Sequence, residues 1–285
     1  MRSVELADFL AVHQGIICAE LTAVRGSSPR EAGTFMLVSG DGLIGTIGGG
    51  ALEHLVIDRA RKVLRDGLPP GILDVPLGPE IGQCCGGRVE VALTIVDKRL
   101  AERLQARIAV EEAAASHVYI FGAGHVGHAL AAALAPLPLH VTVVDTRREA
   151  LAGLPDTVTA TATALPEAVV RSAPSGSVYC ILTHDHALDF LIAGEALKRR
   201  DAPYVGMVGS KTKRARFATW FKAEGGEQAD LDRLVLPIGA AGLGDKRPAV
   251  IAALAAAEIM VHIGRHTGRQ AQPAATAKSG AAVGK

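Results

Sequence analysis

The stretch Val118-Tyr-Ile-Phe-Gly122-Ala-Gly124-His-Val-Gly127 places a strand-forming apolar run directly before a Gly-x-Gly-x-x-Gly spacing that opens a helix. In that setting the first glycine makes the tight turn, the second lets a ligand approach the backbone, and the third lets the helix pack closely on the strand. A second apolar run, Val141-Thr-Val-Val-Asp145, ends in an acid about 20 residues farther on, where a ribose hydroxyl is held in dinucleotide-binding proteins. Together these features predict a Rossmann-like, doubly wound parallel sheet. The same fold is used without a dinucleotide, so binding of NAD or NADP at Gly122, Gly124, His125, Gly127 and Asp145 stays an open alternative. Arg147 and Arg148 suit either a 2′-phosphate or a solvated helix start.

Outward from this point, short Val- and Ile-rich runs alternate with Ala-rich helical stretches, the pattern of a parallel α/β sheet. Strands are expected over His117–Phe121, His140–Asp145, Ser177–Thr183, Pro203–Val208 and Leu234–Pro237, with helices in the gaps. Ligands of such sheets sit outside the carboxyl ends of the strands, so three more loops belong to one edge. Thr183-His184-Asp185-His186, with Asp189, suits a metal or acid–base chemistry, and equally the capping of the next helix. Gly206-Met-Val-Gly209-Ser210-Lys211-Thr-Lys-Arg214 sets three cations in the first turns of a helix, where they oppose its dipole and imply an offsetting anionic ligand. The loop Pro237-Ile-Gly239-Ala-Ala-Gly242-Leu-Gly244-Asp-Lys-Arg-Pro248 offers Lys246 and Arg247 to phosphate.

The preceding half has a different texture. A helix over Val4–His13 and a strand over Ile16–Val24 lead to the loop Arg25-Gly-Ser-Ser-Pro-Arg30, then to a hairpin over Thr34–Val38 and Leu43–Thr46. Ile47-Gly48-Gly49-Gly50-Ala-Leu-Glu53 feeds a helix that runs to about Asp66, and free N–H groups there suit an anion or serve a plain turn. Strands over Ile72–Leu77 and Arg88–Val96 flank Ile81-Gly-Gln-Cys84-Cys85-Gly-Gly-Arg88, where glycines on both sides leave two adjacent thiols accessible to a bulky ligand unless they serve as buried filler. A helix over Asp97–Ala115 joins the halves. The expected organisation is an N-terminal α+β domain over 1–105, a Rossmann-like domain over 106–267 and a disordered tail over 268–285.

Composition excludes more than it selects. A net charge of +1 on 285 residues gives no field for nucleic acid or an anionic membrane. An acid early in the N-terminal segment and the lack of an apolar run of about 18 residues predict a cytoplasmic protein. Four cysteines, Cys18, Cys84, Cys85 and Cys180, do not form a disulfide framework and read as reduced thiols. There is no Gly-x-Ser-x-Gly, His-Glu-x-x-His or Walker motif, so hydrolase and P-loop activities have no anchor. An NAD(P)-dependent oxidoreductase would draw its proton donor from His184 or His186. A dinucleotide-sensing regulatory module using the Gly122–Gly127 site would instead act through partner contacts. A homodimer is the default for a protein of this size.

Six motifs in order carry a resemblance over about residues 3 to 264: Arg25-Gly-Ser-Ser-Pro-Arg30, Gly45-Thr-Ile-Gly-Gly-Gly-Ala-Leu-Glu53, Gly82-Gln-Cys-Cys-Gly-Gly87, Phe121-Gly-Ala-Gly-His-Val-Gly127, Thr183-His-Asp-His186 and Gly206-Met-Val-Gly-Ser-Lys211. On these the chain resembles the XdhC/CoxI family, accessory proteins for the maturation of xanthine dehydrogenase and related molybdenum hydroxylases. The resemblance implies a chaperone without catalytic residues that binds sulfurated molybdenum cofactor and inserts it into the apoenzyme, with a cofactor-sulfurating desulfurase as a second partner. It further implies that Cys84 or Cys85 contacts the metal or its dithiolene. Gly48, Gly49, Gly50, Gly122, Gly124, His125, Gly127, Asp145, His184, Asp185, His186, Gly209, Ser210 and Lys211 would then hold the pterin and phosphate. Soft, sulfur-ligated molybdenum favours thiolate contact, and the neighbouring Arg88 favours a thiolate.

Overall fold

The computed structural model describes residues 1–78, 86–239 and 244–271. The chain divides into two compact units, Met1–Ala114 and Ala115–Lys285.

The first unit contains α1 (Ser3–Val12), β1 (Ile17–Arg25), β2 (Phe35–Val38), β3 (Leu43–Gly45), α2 (Gly50–Asp66), β4 (Ile72–Pro76), β5 (Arg88–Ile95) and α3 (Lys98–Ala113). Its strands form an antiparallel sheet in the order β3-β2-β1-β5-β4. Alternation along β1 feeds both faces: Ile17, Ala19 and Leu21 join the core under α2, whereas Cys18 joins Phe35 and Leu37 under α1 and α3. In α2, Leu52, Val56, Ala60 and Val63 make the buried stripe, and Gly67, left-handed at φ 64°, ends the helix. Asp97 caps α3 by accepting from the Leu100 N–H at 2.7 Å. Leu100, Leu104 and Ile108 then pack with Leu6 and Phe9, each burial contributing roughly 1.5–3 kcal/mol. That packing corrects the expected boundary: a division at 105/106 would cut α3 off its own core, and the units instead part after Ala114.

The second unit contains β6 (Ser116–Phe121), α4 (His125–Leu134), β7 (Leu139–Asp145), β8 (Thr159–Ala162), α5 (Pro166–Ser172), β9 (Val178–Ile181), α6 (His186–Lys198), β10 (Val205–Met207), α7 (Lys211–Ala223), α8 (Gln228–Leu231), β11 (Leu234–Val235) and α9 (Pro248–Ala271). All strand pairings are parallel, in the order β11-β10-β9-β6-β7-β8. The chain starts in the middle, runs out to β8, returns and continues from β9, so the order reverses between β6 and β9. This is the doubly wound arrangement, and its switch point lies at the ends of those two strands. Val118, Ile120, Val141 and Val143 pack under α4 and α9 on one face. Phe121, Val144, Tyr179 and Ile181 pack under α5 to α8 on the other.

Two expectations need correction. The edge strand β8 was not legible, because Thr159-Ala-Thr-Ala162 carries no Val or Ile run, its first two residues being exposed and its last two half-buried. Helix α9 continues through Ala271, so the tail does not begin at residue 268; the rest of that stretch lies outside the described residues. By length and composition α9 is apolar enough to cross a membrane. Its Ala252, Ala255, Ala256, Ile259 and Ile263 are instead buried in the core shared with α4.

Candidate functional site

In the first unit the structure brings three glycine-bearing loops together. A Cβ placed on Gly87 would collide with the Ser27 carbonyl, one on Gly26 would lie 3.3 Å from the Gly87 Cα, and one on Gly48 would lie 2.6 Å from Pro29 Cγ. The loop over residues 25–30 is therefore wedged between the glycine loop that opens α2 and the Gly86–Gly87 pair. The chain leaving β4 is clasped to that pair, since the Leu77 N–H donates to the Gly87 carbonyl at 2.8 Å and the Gly86 N–H to the Leu77 carbonyl at 2.9 Å. Cys84 and Cys85, immediately before the clasp in sequence, lie outside the described residues. The two other thiols, Cys18 and Cys180, are buried in separate cores, and burial pushes the Cys18 thiol up to about 12.

The glycine loop itself is filled from within. Gly48, Gly49 and Gly50 all take positive φ (138°, 80° and 64°), which accounts for three successive glycines on backbone grounds. Their turn wraps a carboxylate oxygen: Glu53 Oε1 accepts from the N–H groups of Ile47 at 2.9 Å, Gly48 at 3.2 Å and Gly49 at 2.9 Å, and from the Thr46 hydroxyl. Burial raises the Glu53 pKa, and the hydrogen bonds from Thr46 and the backbone outweigh it, so the carboxyl titrates below its usual range. An incoming anion would meet a site that already holds one. Arg88 is paired with Asp74 at 2.6 and 2.8 Å, both side chains being exposed.

In the second unit the Gly-x-Gly-x-x-Gly turn has the expected division of labour. A Cβ on Gly127 would collide with the Gly122 carbonyl, and one on Gly122 (φ 108°) would meet the Leu182 carbonyl at 2.6 Å, across the switch point. Gly124, the N-cap of α4, has nothing within 4 Å of an added Cβ, and His125 beside it is exposed. Gly122, Asp145, Thr183 and His184 line one cleft at this edge, with a volume of about 10 Å³, room for about a single water.

Asp145 is buried and saturated. Its Oδ1 accepts from Arg147 N at 2.9 Å and Nε at 3.1 Å; its Oδ2 accepts from Ala123 N at 2.8 Å and from the Arg147 guanidinium at 3.2 Å. A carboxylate offers about four lone-pair positions, and all are taken. Burial raises the Asp145 pKa, but Arg147 and the backbone N–H groups hold it below the usual range. A ribose would have to displace Arg147.

The remaining loops follow the same pattern. Asp185 caps α6, accepting from Ala187 N at 2.8 Å and Leu188 N at 3.4 Å. His184 lines the switch-point cleft, whereas His186 lines a separate groove between α6 and α7. Among the described residues no three His, Cys, Asp or Glu side chains gather as for a metal ion. Ser210 caps α7 through Lys213 N, and Gly209 lets the Lys213 stem pass, a Cβ there lying 2.6 Å from Lys213 Cδ. Of the three cations expected to need an external anion, Lys213 is ion-paired with the buried Asp189 and donates to the Val208 carbonyl at 2.9 Å, and Arg214 donates to the Leu234 and Leu236 carbonyls. Lys211 is exposed. Asp189 also accepts from Thr183 N at 3.1 Å and Oγ1 at 2.7 Å, which ties the two loops to each other. Arg247, read as a phosphate ligand, is bound to Asp245 at 2.6 to 3.1 Å. The roles of Glu53 and Lys213 were missed, and the one sequence signal for the first was a glutamate a turn after the glycine run.

Comparison with known proteins agrees with this architecture. Residues 118–259 match the XdhC Rossmann domain, and residues 10–75 match the XdhC and CoxI family. Escherichia coli (strain K12) YqeB is 28% identical over 253 residues, covering 85% of this chain and 42% of YqeB, so the chain spans less than half of that relative. A solved chain described as a xanthine dehydrogenase from Bacillus halodurans shares the fold with a TM-score of 0.78 at 21% identity, covering 97% of this chain and 98% of that one. With both halves matched in the order of the motifs, the protein belongs to the XdhC and CoxI family.

Proposed function

We propose that the protein is an accessory factor for a molybdenum hydroxylase of the xanthine dehydrogenase type, which carries sulfurated molybdenum cofactor as cargo and inserts it into the apoenzyme without turnover of its own. The observation that supports this reading is the wedge of the 25–30 loop against Gly48 and Gly87, which brings three glycine-bearing loops together in the unit whose sequence carries Cys84 and Cys85. Thiols suit a soft, sulfur-ligated metal, and close glycine backbones suit the approach of a flat pterin. Family membership supports the accessory role. A desulfurase that supplies the sulfurated cargo and a homodimeric state belong to the same proposal. The alternative, a dinucleotide enzyme or sensor, is disfavoured by the four hydrogen bonds that saturate Asp145.

The test is retention of cargo. The purified protein is incubated with molybdenum cofactor, freed of unbound ligand by gel filtration and assayed for molybdenum and pterin. Wild type is expected to retain both, and Cys84→Ala or Cys85→Ala to lose most of the metal. No retention by wild type would sink the carrier role, and retention unchanged in both variants would remove the thiols from it. Calorimetry with NAD and NADP is expected to give no binding heat; binding accompanied by turnover would favour the oxidoreductase.

A further inference from the structure

The sheet of the second unit ends at β8, whose outer side pairs with no strand among the described residues. On its inner side β8 is a regular parallel partner of β7, from Thr142↔Thr159 to Asp145↔Ala162. The Thr163 N–H donates to the Asp145 carbonyl, so by the period of two along a strand the odd-numbered residues spend their main-chain groups on β7. Ala160 and Ala162 therefore turn theirs outward, and Ala160 is exposed. Such a row of unused donors and acceptors is a template for another strand unless the protein blunts it. The other three sheet edges are blunted. Strand β11 has two residues, and Arg214 occupies the carbonyls of Leu234 and Leu236. Strand β3 has three and stops at Gly45, whose φ is 85°. Strand β4 carries Asp74, ion-paired with Arg88, and ends on Pro76. By contrast β8 holds no charge, proline or glycine, and its four residues match the central β9 in length.

The sequence of the edge narrows its occupant. Peptides that add a strand gain specificity from pockets for alternate side chains, and Thr159-Ala-Thr-Ala162 presents only small side chains to read. What it fits is itself. Run antiparallel about a two-fold axis at Thr161, two copies set Ala160 opposite the partner's Ala162 and Ala162 opposite the partner's Ala160. Each of these pairs exchanges both N–H and C=O, so every outward group of the strand is used. Thr161 then faces the partner's Thr161 at a non-hydrogen-bonded position, with Cα atoms about 4.5 Å apart, a pair that sheets favour. An axis at Ala160 suits less well, because it calls on the Val158 N–H, which already donates to the Pro155 carbonyl at 2.9 Å. Leu165, 58% exposed just beyond the strand, adds apolar surface for the partner to cover. A net charge of +1 sets little repulsion between copies.

We propose that two copies of this chain pair through β8, antiparallel about Thr161, so that their six-stranded sheets join into one. This pairing rests on the homodimeric state proposed above and gives it a surface; it uses no property of the cargo. Light scattering after gel filtration reads the mass of the full chain, and wild type is expected at twice 29.5 kDa. Ala160→Pro removes an outward N–H that β7 does not use, so the fold is kept, which circular dichroism checks. The dimer of this variant is expected to weaken roughly tenfold or more. Thr161→Cys is made in a Cys84→Ser and Cys85→Ser background and oxidised with copper phenanthroline. A disulfide-linked dimer is expected, because the paired Cα atoms fall within bridging range. Ile72→Cys, 66% exposed on the β4 edge, is the contrast and is expected to stay unlinked. A wild type that stays monomeric would overturn the pairing and the homodimeric state together, and mass gained only with the apoenzyme would give the edge to a client strand. A dimer that Ala160→Pro leaves unchanged, or that Thr161→Cys fails to link, would overturn the pairing and leave the homodimer. Linkage through Ile72→Cys in place of Thr161→Cys would also overturn it, moving the contact to the other sheet. If Ala160→Pro loses the fold, the Thr161→Cys linkage decides by itself.

Discussion

Glu53 shows how one side chain can stand where a ligand was expected. A single carboxylate oxygen gathers three backbone N–H groups and a hydroxyl, and removing it strands donors around the buried Ile47. Glu53→Ala is expected to cost about 1–3 kcal/mol in urea denaturation, whereas Glu53→Gln keeps one acceptor and costs less. The pH dependence has a definite sign. The folded pKa is depressed, so the contribution is complete above the ordinary value of 4.5 and is lost as pH falls through the lower folded value. Acid denaturation of Glu53→Gln should therefore be shallower than that of wild type below about pH 4. Equal acid limbs would show that Glu53 does not hold the loop. Asp145 behaves alike, its carboxyl being held down by Arg147 and the backbone.

At the scale of elements, the Gly-x-Gly-x-x-Gly turn separates packing from binding. Gly127→Ala drives a Cβ into the Gly122 carbonyl, so α4 must lift from β6, and a loss of about 1–3 kcal/mol is expected. Gly124→Ala meets nothing and should stay within about 0.5 kcal/mol of wild type. Thermal denaturation of the pair checks this, and a comparable loss in both would refute the division. If Gly124→Ala impairs cargo retention at unchanged stability, the second glycine serves a ligand. The strand, turn and helix around this motif were legible because their signals are local: an apolar run, three glycines and an acid at the next strand end. What each polar group touches was not legible. Asp189 and Lys213 are 24 residues apart and meet only because β9 and β10 lie side by side. Lys213 and Arg214, read as waiting for an external anion, turned out to have internal partners, whereas Lys211 is exposed. The edge strand β8 escaped because its Thr and Ala residues pair through backbone alone, with little apolar burial to leave a pattern.

At the scale of the molecule, each unit has its own core and its own sheet covered on both faces. Residues 1–114 and 115–285 expressed separately are each expected to give a cooperative unfolding transition by circular dichroism. A fragment that stays non-cooperative would mean that its core depends on the other. The division also assigns motifs: the thiol segment and the Glu53 loop belong to one unit, the switch-point edge and the α6–α7 groove to the other. A carrier spends part of its life empty. Loops whose backbone donors awaited cargo would collapse or recruit stray anions after each delivery, and every reloading would have to rebuild them. With Glu53, Asp145 and Asp189 already occupying those donors, the proposed carrier role would require no rebuilding of these loops between deliveries.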